Sequence, residues 1–228
     1  MTKSHKIALA LFSSCMIATH SASAKTDSNS SDAAKAKNVA ELLLGVFSQD
    51  PSQPNRVNIQ FKAAIAGITE AEAIKNLGVD ANVISSPSAM MKEMMRDQFS
   101  PEDMAIISPA LDRQILSQTK IMQSCKLTGQ MTQPSTTQYE FPVQCQVPLL
   151  IDWNAIKQPE INQEDSMGKN FAIVADWSTN IINTAPRNSY TTKIRVVQEG
   201  KSFVPEMDDE EYFPSSVTKQ IMGTSESE

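Results

Sequence analysis

Hydrophobic side chains recur along this chain with two different periods, and the change from one to the other divides it. Between Asp32 and Ser48, Val39, Leu42, Leu43, Val46 and Phe47 fall on one face at helical spacing. The turn-rich segment Asp50-Pro51-Ser52-Gln53-Pro54-Asn55 ends that pattern. A second helical stretch carries Phe61, Ile65 and Ile68. Thr69-Glu70-Ala71-Glu72 then has capping-box spacing, and Gly78 sits where the helix it starts should stop. Val79 to Ile84 reads as a short strand. Ser86-Pro87, Ser100-Pro101 and Ser108-Pro109 each predict a helix restart, because a proline at the first helical position lacks only an N–H that would be orphaned anyway.

From about Lys120 the period drops to two. Tyr139, Phe141, Val143, Cys145, Val147, Leu149, Ile151 and Trp153 alternate with polar residues and prolines, which predicts one long strand with a single buried face. Pro142 and Pro148 lie on its other face and donate nothing to a ladder, so they point to an edge strand or to bulges. Phe171 to Ile182 and Ser189 to Gln198 read as two more strands, separated by loops at Asn154 to Asn170 and Asn183 to Asn188. Glu199-Gly200 makes a hairpin turn returning through Phe203 and Val204. An acidic stretch follows Pro205, and a short helix runs from Ser215 to Met222. If Lys120 to Met131 folds back on Tyr139 to Trp153 around Ser135, then Cys125 pairs with Cys145, Leu127 with Val143, Gly129 with Phe141, and Met131 with Tyr139. Cross-strand partners stand within disulfide reach, so a structural Cys125–Cys145 bridge is predicted.

Helices first and an antiparallel meander second predict one α+β domain over residues 36–206, its helices packed on one face of a curved sheet of four to five strands. This element order, with the Val196 to Val204 hairpin, resembles the NTF2-like (cystatin-like) superfamily of small exported bacterial proteins. That superfamily hosts enzymes, assembly modules of secretion systems and ligand-binding shells, so the resemblance implies a fold and carries over no functional residue.

The amino-terminal region changes the accounting. Lys3 and Lys6, an apolar run from Ile7 to Ala18, and Ala22-Ser23-Ala24 form an export-signal pattern, with cleavage expected after Ala24. Residues 25–35 then form a flexible leader and 207–228 an acidic carboxyl-terminal segment. The alternative is a lipoprotein anchored at Cys15, after Ser13-Ser14. Cleavage removes both histidines, His5 and His20, and leaves Cys125 and Cys145 as an even pair for an oxidising periplasmic or extracellular setting. Without histidine there is no Ser-His-Asp or Cys-His catalysis and no His-ligated zinc. Losing two lysines takes the net charge from −6 to −8, which argues against a nucleic-acid partner. No apolar run reaches the roughly 20 residues of a transmembrane helix.

Three groups of side chains remain as candidates. Met90, Met91, Met94 and Met95 form two i,i+4 pairs on the helix after Ser86-Pro87, an adaptable apolar surface or, with further ligands, a thioether site for Cu(I). Asp152-Trp153 and Asp176-Trp177 repeat one dipeptide; on neighbouring strands the two carboxylates would converge as an acid/base pair for glycan cleavage. Asp208-Asp209-Glu210-Glu211 lacks the spacing of a calcium loop and reads as a solvated helix approach. The expectation is therefore an exported, non-catalytic binding or assembly module without cofactor or metal. Its contact surface would be the sheet concavity and the methionine-rich helix, its partner an envelope protein or a small apolar ligand. The alternative is a carboxylate-dependent hydrolase or lyase acting on cell-envelope glycans.

Overall fold

The computed structural model describes residues 29–53, 56–77, 86–149, 155–207 and 209–222. The export signal, Cys15, the Gly78 stop, the Val79 to Ile84 strand, the end of the long strand with Asp152 and Trp153, and Asp208 all lie outside the described residues. Helices α1 (Asn29–Ser48), α2 (Arg56–Ala66), α3 (Glu70–Leu77), α4 (Pro87–Arg96) and α5 (Pro101–Gln123) come first. Strands β1 (Lys126–Leu127), β2 (Thr132–Ser135) and β3 (Gln138–Pro148) follow, then α6 (Met167–Thr184), β4 (Arg187–Glu199), β5 (Ser202–Pro205) and α7 (Ser215–Met222). The class is α+β. One curled antiparallel sheet runs in the order β1-β3-β4-β5, with β2 also paired to β3.

The helix-start signals work as their chemistry requires. The Thr69 N–H donates to Glu72 Oε2 at 2.8 Å while the Glu72 N–H donates to Thr69 Oγ1 at 3.2 Å, a closed capping box. Ser86 and Ser100 accept from Ala89 N and Asp103 N, each with proline at the next position. Ser108-Pro109 behaves differently, because α5 runs straight through it. The Ser108 hydroxyl turns back to the Met104 carbonyl at 2.7 Å instead of capping a new helix. The buried stripe Ile107, Ala110, Leu111 and Gln114 continues unbroken across the proline, so packing overrides its local cost.

Phe171 to Ile182 is a helix and not a strand. β-branched and aromatic residues there favour a strand locally, yet the buried positions Gly168, Ala175, Thr179 and Ile182 repeat at helical spacing. Ser166 caps α6 by accepting from Lys169 N at 3.2 Å. Helix α6 therefore interrupts the expected meander and lies beside α5, running parallel to it: Gly168 N donates to Asp103 Oδ1 at 3.0 Å, Arg113 reaches Asp176, and Ser117 Oγ donates to Asn183 Oδ1 at 2.7 Å. A side chain at Gly168 would stand 2.7 Å from the Asp103 Cα, so only glycine admits this approach.

The expected hairpin register holds at Lys126↔Gln144 and Leu127↔Val143, although α5 persists to Gln123 and shortens the incoming strand to two residues. Beyond it Gly129 takes φ +70, a left-handed conformation that turns the chain out of the ladder, and pairing resumes at Thr132↔Glu140. The expected partners Gly129–Phe141 and Met131–Tyr139 are therefore not ladder pairs. Strand β3 is interior and not an edge. Thr128 N donates to the Pro142 carbonyl and Gln146 N to Ser124 Oγ, both at 2.8 Å, so even-numbered β3 residues face the short, interrupted flank. Pro142 and Pro148 both have that parity. The N–H each lacks is missing from the broken side, and the continuous ladder to β4 is untouched.

One core fills the apolar face of the sheet. Ala36, Val39, Ala40 and Leu43 of α1 lie in a single cluster with Tyr139, Phe141, Val143, Cys145, Ile194, Val196 and Phe203. Val217 and Ile221 of α7 close its other side, with Phe213 edge-on to Phe47 at 5.7 Å. Each fully buried aliphatic or aromatic side chain contributes about 1.5–3 kcal/mol.

Candidate functional site

Helix α4 stands apart from that core, on a smaller cluster of its own. Met95 is buried with Ile107 and Leu111, and Met91, Phe99, Met104 and Phe171 pack around them. Successive residues of a helix point about 100° apart, so the two i,i+4 pairs fall on different faces. Met91 and Met95 face α5, whereas Met90 and Met94 remain 50% and 63% exposed. The structure thus brings one pair into a core and leaves the other on the surface. Helix α4 is fastened to α5 by Asp112, whose carboxylate accepts from Ser88 Oγ and from Lys92 Nζ at 2.7 Å. Burial raises that carboxyl, but the Lys92 and Ser88 hydrogen bonds and the nearby cations hold it below its ordinary value.

Beside this joint lies a cavity of about 440 Å³ between the end of α4 and the first half of α5. Lys92 and Arg96 line one side; Phe99, Met104, Ala105 and Ser108 line the rest, and no carboxylate is among the lining residues. The Arg96 guanidinium pairs with Glu93 at 2.9 Å, both side chains about two-thirds exposed.

The paired-carboxylate expectation fares differently. Asp176 sits on α6, and its two oxygens accept from Arg113 Nε and Nη2, both at 2.8 Å. Trp177 donates from Nε1 to the Lys157 carbonyl at 3.2 Å, tying the preceding loop to the helix. The two-neighbouring-strands premise for Asp152 and Asp176 does not hold, since Asp176 is helical and Asp152 lies outside the described residues. In the acidic run, Asp209 Oδ1 accepts from Glu211 N at 2.9 Å and Glu210 pairs with Lys219, so the run builds the turn before α7. Among the described residues no three His, Cys, Asp or Glu side chains stand together to hold a metal ion. None of the described helices is long and apolar enough to cross a membrane.

Cys125 and Cys145 are joined by a disulfide, with their Cα atoms 4.0 Å apart. The bridge fixes the end of α5 to the interior strand at the expected register. The polar face of the sheet holds a cluster that reading the strands one at a time missed. Glu140, 5% exposed, accepts from Lys193 Nζ at 2.9 Å and from Arg195 Nη2 at 2.7 Å, while Arg195 also reaches Glu206 at 3.3 Å and covers the Tyr212 ring at 4.2 Å. Burial pushes the Glu140 carboxyl up, and its bonds to Lys193 and Arg195 outweigh that and bring it below its ordinary value. The signal was an acid on β3 directly opposite Arg195 and diagonal to Lys193, both at polar positions of β4. It becomes visible only once those two strands are known to pair. The apolar face of the same sheet is filled by α1 and α7. Among the described residues, the α4–α5 corner combines exposed apolar side chains, Met90, Met94 and Ile106, with the cations Lys92 and Arg96. Compared with protein-family models, with curated proteins and with solved structures, the chain shows no significant match in any of the three.

Proposed function

We propose that this protein is an exported, non-catalytic binding or assembly module of NTF2-like type that contacts its partner through the outer face of α4. The observation that carries this reading is the division of the four methionines. Two are spent on the local core, and Met90 and Met94 remain exposed where a helix needing only a core face would carry polar residues. Unbranched thioether side chains adapt to irregular partners, which suits a contact surface. A curled antiparallel sheet with helices on it is compatible with the NTF2-like resemblance. The disulfide supports export, because such bonds persist in oxidising compartments. The filled apolar face of the sheet shifts the weight of the proposal from the sheet to α4. The carboxylate-dependent alternative draws no support from Asp176, both of whose oxygens are engaged by Arg113.

Photo-crosslinking tests the reading. A benzoylphenylalanine placed at position 94, with a control at exposed Leu116 of α5, is irradiated in the intact envelope of the native cell. The module reading expects a discrete adduct from position 94 that Met90→Ser weakens, and none of the same mass from position 116. Identical adducts from both positions, or none from 94, contradict it.

A further inference from the structure

The cavity beside α4 has a chemical composition more specific than an apolar groove. Pro109 lies inside α5 and has no N–H, so the Ala105 carbonyl, one turn earlier, lacks the helical donor it would otherwise have. Ala105 lines the cavity. Ala105, whose carbonyl has no N–H four residues on, therefore borders a space whose other side carries Lys92 and Arg96 and whose wall includes Phe99 and Met104. Lys92 is committed to Asp112. Among the described residues Arg96 pairs with Glu93 three residues away, an exposed pair of the kind worth about 0–1 kcal/mol, which an incoming anion can displace.

We infer that this cavity binds an acylated apolar amino-acid terminus: a free carboxylate on Arg96, an amide N–H on the Ala105 carbonyl, and an apolar side chain against Phe99 and Met104. The three complementary groups occur in that order in an N-acyl amino acid and at the carboxyl terminus of a polypeptide. A guanidinium fork matches a carboxylate in two parallel bonds. The space, about 440 Å³ and open to solvent on its outer side, has room for one or two residues. The inference deepens the binding-module reading, on which it rests, since α4 supplies both the exposed methionines and one cavity wall.

The probes are acetyl-leucyl-phenylalanine with a free carboxylate, its carboxamide, and its analogue N-methylated at the phenylalanine nitrogen. Each is titrated into the full chain and followed by NMR. The free acid should shift Phe99 and Met104 with a dissociation constant of about 0.1–1 mM. Amidation and Arg96→Gln should each weaken binding about tenfold, and the carboxamide should not sense Arg96→Gln. Pro109→Ala returns a donor to the Ala105 carbonyl and should weaken the free acid severalfold while leaving the N-methyl analogue unchanged. N-acetyl-leucine binding as tightly as longer acetylated peptides identifies a small acylated amino acid; affinity rising with length identifies a polypeptide terminus. Equal binding of acid and carboxamide, indifference to Arg96→Gln, or no shifts up to about 10 mM overturns the inference. Met90→Ser with Met94→Ser keeps the two proposals separable. Dipeptide binding retained without any position-94 adduct removes the module reading alone, and the converse removes the cavity alone.

Discussion

The sheet with α1 and α7, and the corner made by α4, α5 and α6, are built to different standards. In the first region a single cluster runs from Ala36 to Ile221, a disulfide ties α5 to the interior strand, and a buried glutamate is clamped by two cations on the polar face. In the second, the core is a handful of residues around Ile107, a proline interrupts the hydrogen bonding of the longest described helix, and Met90 and Met94 stay exposed. Within the second region α5 and α6 are themselves joined by bonds between residues 63 to 66 apart, and the loosely held element is α4, which rests on the small cluster around Ile107. Sites that must accommodate a partner are drawn from the less stable parts of a structure.

If the contrast is real, the largest effects come from the sheet. Replacing Cys125 and Cys145 together by serine should cost about 3 kcal/mol, the chain-entropy value for a loop closed across a separation of 20 residues. Denaturant titration reads this directly, and a cost under about 1 kcal/mol would remove the disulfide from the scaffold. Glu140 gives the sheet an acid sensitivity of stated sign. Its folded carboxyl titrates below the unfolded value, so its contribution is present above the unfolded value and is lost as pH falls through the folded one. Glu140→Gln should therefore destabilise at neutral pH by about 1.5–3 kcal/mol, the range for hydrogen bonds to a charged group, and much less in strong acid. An equal loss at both pH values would contradict the clamp.

Much of this division was legible in the chain and some of it was not. The capping box, the Ser86 and Ser100 starts, the Glu199-Gly200 hairpin and the carboxyl-terminal helix are local devices, written in adjacent residues, and the folded chain keeps them. The disulfide was legible because a hairpin register is arithmetic. Helix α6 was not: of its buried positions Gly168, Ala175, Thr179 and Ile182, only Ile182 is large and apolar, while Phe171, Ile173 and Val174 suggest a strand. Misreading α6 hid the β3–β4 pairing and with it the Glu140 clamp. Pro109 misled for a related reason, since packing of Ile107 and Leu111 against Met95 holds a helix that proline alone would end. At the candidate site, the methionine spacing was readable, and which pair would face outward depended on where α5 lies.

The smaller effects belong to the corner. Met95→Ala should cost about 2 kcal/mol, the low end for a buried methionine because the cluster around it is small. Met94→Ala, three-fifths exposed, should stay within about 0.5 kcal/mol. Equal losses would mean that α4 has no outer face. The Arg113–Asp176 pair, about half exposed on both sides, should contribute less than about 1 kcal/mol, so Asp176→Asn should leave the denaturation midpoint nearly unmoved.

The contrast between the two regions is tested most directly by the methionine methyl spectrum. Methionine ε-methyl groups are ¹³C-labelled, and spectra of the whole protein are recorded alone and with a solubilised envelope fraction from its native cell. The account predicts that Met90 and Met94 shift or broaden while Met122, buried in the sheet core, keeps its position. No change at Met90 and Met94, or a change at Met122 as large as theirs, would contradict it.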